Sequence, residues 1–162
     1  MTAYAQPTTL EEALTCLNNN DITVLAGGTD FFPSIVDRPQ IFNILDTSRI
    51  KGLRGISRQG DYWRFGASTT WSDIDKAELS PAFNGLKRAA RQVGSIQIQN
   101  VATIGGNLCN ASPAADGVPP LLVLDAKVEL SSSQGQRTLA LADFVQGNRQ
   151  TMLNKDELMT AV

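Results

Sequence analysis

The chain contains no histidine, and that absence removes several chemistries at once. Without an imidazole there is no His-based triad, no histidine-rich metal site and no histidyl attachment point for a cofactor, so proton transfer would fall to carboxylates, lysine or tyrosine. Cysteine is nearly as scarce. Cys16 and Cys109 stand far apart in unlike settings, which leaves neither a C-x-x-C redox pair nor a cysteine metal quartet. Cys16 reads as a packed hydrophobe in a helix, and Cys109 lies beside a glycine loop. The sequence offers no catalytic side-chain set and no metal site.

Charge of one sign is also missing. Fourteen Lys and Arg against sixteen Asp and Glu leave a net charge of −2, with a pI near 5.1, which argues against nucleic acid and anionic membrane surfaces as partners. The opening Met1-Thr2-Ala3-Tyr4-Ala5-Gln6-Pro7 carries no basic stretch followed by an apolar one, and no apolar run approaches bilayer length. The expectation is a cytoplasmic protein without membrane insertion.

What is present begins with a length of 162 residues, 42% hydrophobic and 19% charged, enough for a real core without disulfide staples. Two glycine pairs then draw the eye. Leu25-Ala26-Gly27-Gly28-Thr29-Asp30 closes one apolar run, and Thr103-Ile104-Gly105-Gly106-Asn107 closes another. Paired glycines let the backbone turn sharply and bring its N–H groups close to a ligand, which is anion-binding chemistry. Neither loop contains Lys or Arg, so the expected cradle for a diphosphate is backbone N–H groups, the Thr29 and Thr103 hydroxyls and the Asn107 amide. A side chain at Gly28 or Gly106 is expected to collide with the ligand. The loops match neither G-x-G-x-x-G nor G-x-x-x-x-G-K-[ST], so a Rossmann nicotinamide site and a P-loop are unsupported. Asp116 can cap a helix, accept hydrogen bonds from a nucleotide, or do both.

Local signals give the order of elements. Thr8 or Thr9 with Glu11 or Glu12 predicts a capped helix through Leu10, Ala13, Leu14 and Leu17, stopped by Asn18-Asn19-Asn20. Strands are expected over 22–26 and 41–45, with a turn or short helix over 31–36 between them. This small α/β unit occupies residues 1–55. From residue 56 the pattern changes: a hairpin turns at Gln59-Gly60-Asp61, a short helix runs from Thr70 to Lys76, and Ser80-Pro81 opens a helix with Phe83, Leu86, Ala90 and Val93 on one face, ended by Gly94. Ile96 and Ile98 alternate with polar residues, predicting an extended stretch. Asp116 is expected to cap a short helix through Pro119, Pro120, Leu121 and Leu122. Two strands around Val128 and 137–141 flank a turn at Ser133-Gln134-Gly135-Gln136, and the apolar run ending at Val162 reads as a strand cut short. Residues 56–162 thus form a mostly antiparallel sheet with helices.

Taken in order, Ala26-Gly27-Gly28-Thr29-Asp30, Val93-Gly94-Ser95, Gln97-Ile98-Gln99-Asn100-Val101-Ala102-Thr103-Ile104-Gly105-Gly106-Asn107 and Ala111-Ser112-Pro113-Ala114-Ala115-Asp116 resemble the FAD-binding medium subunits of molybdenum hydroxylases, the xanthine dehydrogenase and carbon monoxide dehydrogenase family. The resemblance implies an α+β, two-subdomain FAD-binding fold of the vanillyl-alcohol oxidase (PCMH) type. It implies non-covalent FAD at Leu25, Ala26, Gly27, Gly28, Thr29 and Asp30 together with Thr103, Ile104, Gly105, Gly106, Asn107 and Asp116. It also implies partner subunits, one carrying the molybdenum cofactor and one carrying 2Fe-2S clusters, and electron delivery through the flavin to NAD or another acceptor. Gln99 stands where the family usually has Arg, and Gly117 where it usually has a larger apolar residue. The family's C-terminal α/β domain has no counterpart in these residues. A non-catalytic assembly or regulatory module that keeps the fold without flavin is the alternative; a dehydrogenase acting alone lacks a proton-transfer group.

Overall fold

A computed structural model describes residues 4–18, 21–36 and 42–162. The first part is a three-stranded parallel sheet in the order β1-β3-β2, built from β1 (Tyr4–Ala5), β2 (Thr23–Leu25) and β3 (Ile44–Asp46). Helix α1 (Leu10–Leu17) joins β1 to β2 as the capping pattern predicts: Glu12 N–H donates to Thr9 Oγ1 at 3.3 Å and Glu12 Oε2 accepts from Thr9 N–H at 3.3 Å. Ala13 and Leu17, four residues apart on one face, are buried with Leu45, Ile50 and Leu53. Helix α2 (Phe31–Ile35) follows the first glycine loop. The expected strand over 41–45 is shifted toward Asp46; Ile41, like Asn19 and Asn20, lies outside the described residues.

The second part opens with the hairpin β4 (Ile56–Gln59) and β5 (Tyr62–Phe65), turning at Gly60-Asp61 as expected. Helix α3 (Trp71–Lys76) starts on a second capping box, Thr70 with Asp73. A 3-10 turn over Pro81–Phe83 leads into α4 (Asn84–Gln92), which buries Leu86 and Ala90 and is followed by left-handed Gly94. Residues Ile96–Gln99, expected to be extended, instead form one helical turn, α5: Gln99 N–H donates to Ser95 C=O at 2.9 Å and Asn100 N–H to Ile96 C=O at 3.1 Å. The i, i+2 isoleucine pattern misleads because only Ile98 packs inward while Ile96 is exposed.

Helix α6 (Ile104–Asn110) carries the second glycine pair, and α7 (Val118–Val123) follows it. Asp116 does not cap α7. The helix begins at Val118 with Gly117 in the cap position and no side-chain cap bond, so Asp116 falls one residue too early and is exposed. Strands β6 (Lys127–Ser132) and β7 (Gly135–Ala140) form the expected hairpin. They are followed by the short helix α8 (Leu141–Phe144), the hairpin β8 (Val145–Gly147) and β9 (Gln150–Thr151), and β10 (Leu158–Ala161), which pairs antiparallel with β6. The end of β10 also bonds the first hairpin: Phe65 and Val162 exchange both N–H···O=C bonds, at 2.8 and 2.9 Å. One large core, including Phe65, Trp71, Leu86, Leu108, Leu130 and Phe144, lies under these elements.

Candidate functional site

The first glycine loop leaves the carboxyl end of a parallel strand, where open α/β sheets present their ligand crevices. Thr47 fixes its base, because both its N–H (2.9 Å) and its hydroxyl (3.1 Å) donate to the Leu25 carbonyl. The chain then turns through Ala26 and Gly27 to Gly28, whose φ of +71° is a left-handed conformation that favours glycine. The N–H groups of Gly27, Gly28, Thr29 and Asp30 have no acceptor among the described residues. Successive free N–H groups around a left-handed residue form a concave anion-binding nest.

The second loop is built differently. Ile104 N–H donates to Thr69 C=O at 3.0 Å, Gly105 N–H to Ala67 C=O at 2.9 Å and Asn107 N–H to Thr103 C=O at 3.0 Å. Thr103 is the N-cap of α6, its Oγ1 accepting from Gly106 N–H at 3.0 Å. The expectation of bare N–H groups here is therefore overturned: this segment is a capped helix start whose donors are taken by its own fold. Its glycines are needed for close approach instead. A Cβ on Gly105 would lie 2.7 Å from the Ala67 carbonyl oxygen. A Cβ on Gly106 would meet Thr103 Oγ1 at 2.9 Å, with Ala26 Cβ at 3.8 Å, so the first collision at that position is with the cap.

The two loops meet. A Cβ on Gly27 would land on the carbonyl oxygen of Val101, just ahead of Thr103. Both loops line one cleft of about 700 Å³, within the range of roughly 300–1,000 Å³ usual for small-molecule sites. Of the twelve residues expected to touch a cofactor, eleven line this cleft; Ile104 is fully buried in the core and does not. Asp116 stands at the rim with its carboxylate exposed. Cys109 also lines the cleft, and burial pushes its thiol up to about 12, so it is no nucleophile at neutral pH. Two cleft residues, Asn107 from the second loop and Trp71, carry buried polar atoms without partners among the described residues, Asn107 Oδ1 and Trp71 Nε1. Free donors in a nest, orphaned polar atoms and a cleft lined by two glycine segments fit a diphosphate-bridged cofactor. Among the described residues no group of His, Cys, Asp and Glu is arranged to hold a metal ion, and no helix is long and apolar enough to cross a membrane.

All 162 residues match the family described as the FAD binding domain in molybdopterin dehydrogenase. The chain belongs to this family. Among relatives of this FAD-binding domain, the nicotinate dehydrogenase FAD-subunit of Eubacterium barkeri is 39% identical over 169 residues, covering 98% of this chain and 56% of that one. The xanthine dehydrogenase FAD-binding subunit of Escherichia coli O157:H7 is 33% identical over 163 residues, with 98% and 56% covered. In three dimensions, the CO dehydrogenase of Oligotropha carboxidovorans superposes with a TM-score of 0.92 at 28% identity, over 99% of this chain and 58% of that one. The FAD-binding domain described here thus spans rather more than half the length of these relatives. The mixed helix-and-strand architecture expected from the sequence is the family's fold.

Several cleft residues carried no sequence signal. Thr47 and Ala67 act through backbone groups and ordinary side chains, and no motif marks Glu157. In the structure Glu157 is buried, bound in a bidentate pair by Arg137 at 2.6 and 2.7 Å. Arg149 lies in the β8–β9 turn, where nothing periodic marks it.

Proposed function

We propose that this chain anchors FAD in a flavoprotein subunit of a molybdenum hydroxylase, and that the cofactor's diphosphate sits in the first-loop nest against the start of α6. The observation that carries this reading is the run of four unpartnered N–H groups from Gly27 to Asp30, pressed against the segment that leads into Thr103. In that arrangement the first loop donates to the phosphates. Thr103 and Asn107 present a hydroxyl and an amide from the opposite wall, and Asp116 at the rim accepts from a sugar hydroxyl. The flavin, when bound, supplies the redox chemistry, taking up and releasing electrons one or two at a time. The chain's own contribution is binding, orientation and exclusion of water, consistent with its lack of an acid/base set. A 2Fe-2S subunit as electron donor, a molybdenum-cofactor subunit as the site of substrate oxidation, and NAD or another acceptor complete the proposed complex.

The decisive experiment is titration of the protein with FAD, followed by flavin fluorescence and absorption. Quenched fluorescence and a structured absorption band are expected; an unchanged free-flavin spectrum overturns the reading. One observation favours a second reading: every N–H of the α6 start is already satisfied inside the protein, as suits an assembly module that needs no ligand. A stable but colourless complex with the partner subunits would support that alternative, and reduction of bound FAD by the iron–sulfur partner would eliminate it.

A further inference from the structure

Neither glycine loop carries a cation, yet a dinucleotide's diphosphate brings two negative charges. Among the described residues lining the cleft, the acids are Asp30, Asp116 and Glu157, and Arg149 is the one Lys or Arg. Glu157 is already neutralised by Arg137. With that pair set aside, Asp30 and Asp116 stand against Arg149, so among the described lining residues Arg149 is the one charge that favours an anionic ligand.

Arg149 is held in place with unusual care for an exposed residue. It occupies the second position of the two-residue Asn148-Arg149 turn between β8 and β9, where Gly147 pairs with Gln150. Its φ of +52° is left-handed, a conformation that costs a non-glycine residue roughly 1–2 kcal/mol. Glycine or asparagine would occupy it more cheaply. Two bonds tie it to the end of α6: its N–H donates to Ala111 C=O at 2.8 Å, and its Nη1 donates to Asn110 Oδ1 at 2.6 Å. No carboxylate pairs with it; the ion pairs among the described residues are Arg54–Asp73, Arg64–Glu129, Arg91–Asp75 and Arg137–Glu157. Its remaining donors have no acceptor among the described residues.

Asn110 lies four residues beyond Gly106 on α6, so the two share a face one turn apart, about 5–6 Å, and both line the cleft. Asn110 therefore holds the guanidinium on the side of α6 that also carries Gly106, whose Cα faces Ala26 of the first loop. A strained backbone that holds a lone cation at such a point has a functional cause as its simplest account.

We propose that Arg149, positioned by Asn110, is the counter-charge for the ligand's diphosphate. It closes over the phosphates from the β8–β9 side while the first-loop N–H groups hold them from the other. The assignment rests on the reading of the cleft as a dinucleotide site and adds a recognition residue from a hairpin outside both glycine loops. Arg is suited to this task because its planar fork donates to two phosphate oxygens at once.

The test measures dissociation constants of FAD, ADP and riboflavin for the parent protein, Arg149→Gln, Arg149→Lys and Arg149→Gly, at low and high salt, with thermal melts of each. Arg149→Gln is expected to weaken FAD and ADP by about tenfold or more, as loss of a hydrogen bond to a charged group does. Its affinity should depend less on salt, and its melting temperature should stay unchanged. Riboflavin, which lacks phosphate, should bind parent and variant alike, and Arg149→Lys should retain part of the affinity. Arg149→Gly, freed of backbone strain, should melt no lower than the parent while losing ADP affinity. Equal FAD and ADP affinities in parent and Arg149→Gln overturn the proposal, as does a matching loss for riboflavin. If ADP binds in an Arg149-dependent way and FAD does not bind at all, the flavin reading falls while the anion site stands. If neither binds the parent protein, both fall.

Discussion

Gly27 rests its Cα against the carbonyl of Val101, leaving no room for a side chain between them. That contact joins the loop after β2 to the segment that caps α6, and it explains why the two glycine pairs, some eighty residues apart in sequence, act at one place.

Gly27→Ala is accordingly expected to force the two loops apart. Overpacking of this kind costs about 1–3 kcal/mol, and flavin affinity should fall with stability. Gly106→Ala crowds the Thr103 hydroxyl and meets Ala26 Cβ at ordinary contact distance, so it costs no more than a helix cap, about 1 kcal/mol. Urea denaturation of both variants, alongside FAD titration, checks the order. A Gly106→Ala variant less stable than Gly27→Ala would contradict it.

Gly117 and Trp71 are matched in size. A Cβ at Gly117 would lie 2.6 Å from Trp71 Cη2 and 2.8 Å from Asn107 Oδ1. Gly117→Ala should destabilise by roughly 1–3 kcal/mol, and Trp71→Phe, which removes the outer indole atoms, should lessen that cost in the double variant. Non-additivity in denaturant midpoints is the readout; strictly additive effects would show that the two residues do not share the space.

The Glu157 carboxyl is held below its ordinary value chiefly by the Arg137 hydrogen bonds, with burial opposing and the Asn154 N–H (2.9 Å) assisting. A carboxylate depressed in the folded state stabilises fully above the unfolded value and loses that contribution as pH falls through the folded one. Stability of the parent protein should therefore drop on acidification past the ordinary glutamate range. Arg137→Gln should lose stability at neutral pH and show a shallower acid decline. Parallel pH profiles for the two proteins would rule out this pair as a source of the acid sensitivity.

Cys109 should resist alkylation. With its thiol raised to about 12 by burial, almost no thiolate exists at pH 8, so iodoacetamide should leave it unmodified in the folded protein and label it in urea. Peptide mass mapping distinguishes it from Cys16. Rapid labelling of Cys109 under native conditions would show that the cleft wall opens.

The sequence announces elements whose signals are local. Thr9 with Glu12 and Thr70 with Asp73 state their helix starts within four residues, and the turns at Gly60 and Gly135 fix two hairpins, because caps and turns are satisfied by neighbours. The family pattern likewise gathers residues that the fold brings to one cleft, Ile104 excepted. What stays illegible depends on distant partners. The first two donors of the α6 start, Ile104 and Gly105 N–H, are consumed by Thr69 and Ala67, more than thirty residues upstream, so the glycine pair looks like an open loop in sequence and is a capped helix in the fold. Ile104 reads as part of that loop although its side chain belongs to the core. Asp116 looks like a cap because prolines follow it, yet the helix starts one residue later than that role allows. Arg149 is an ordinary exposed arginine until the β8–β9 hairpin folds back onto Asn110.

One strand binds the two parts in time as well as in space. Leu158 completes the core of Ala13, Leu17, Leu45, Ile50 and Leu53, while its neighbour Met159 enters the other core. Successive strand residues point to opposite sides, so β10 acts as a shared partition with one side chain in each compartment. During synthesis the amino-terminal sheet emerges first but lacks its closing residue until position 158 has left the ribosome. The early part must therefore wait, incompletely packed, for β10, which contributes a side chain to each compartment.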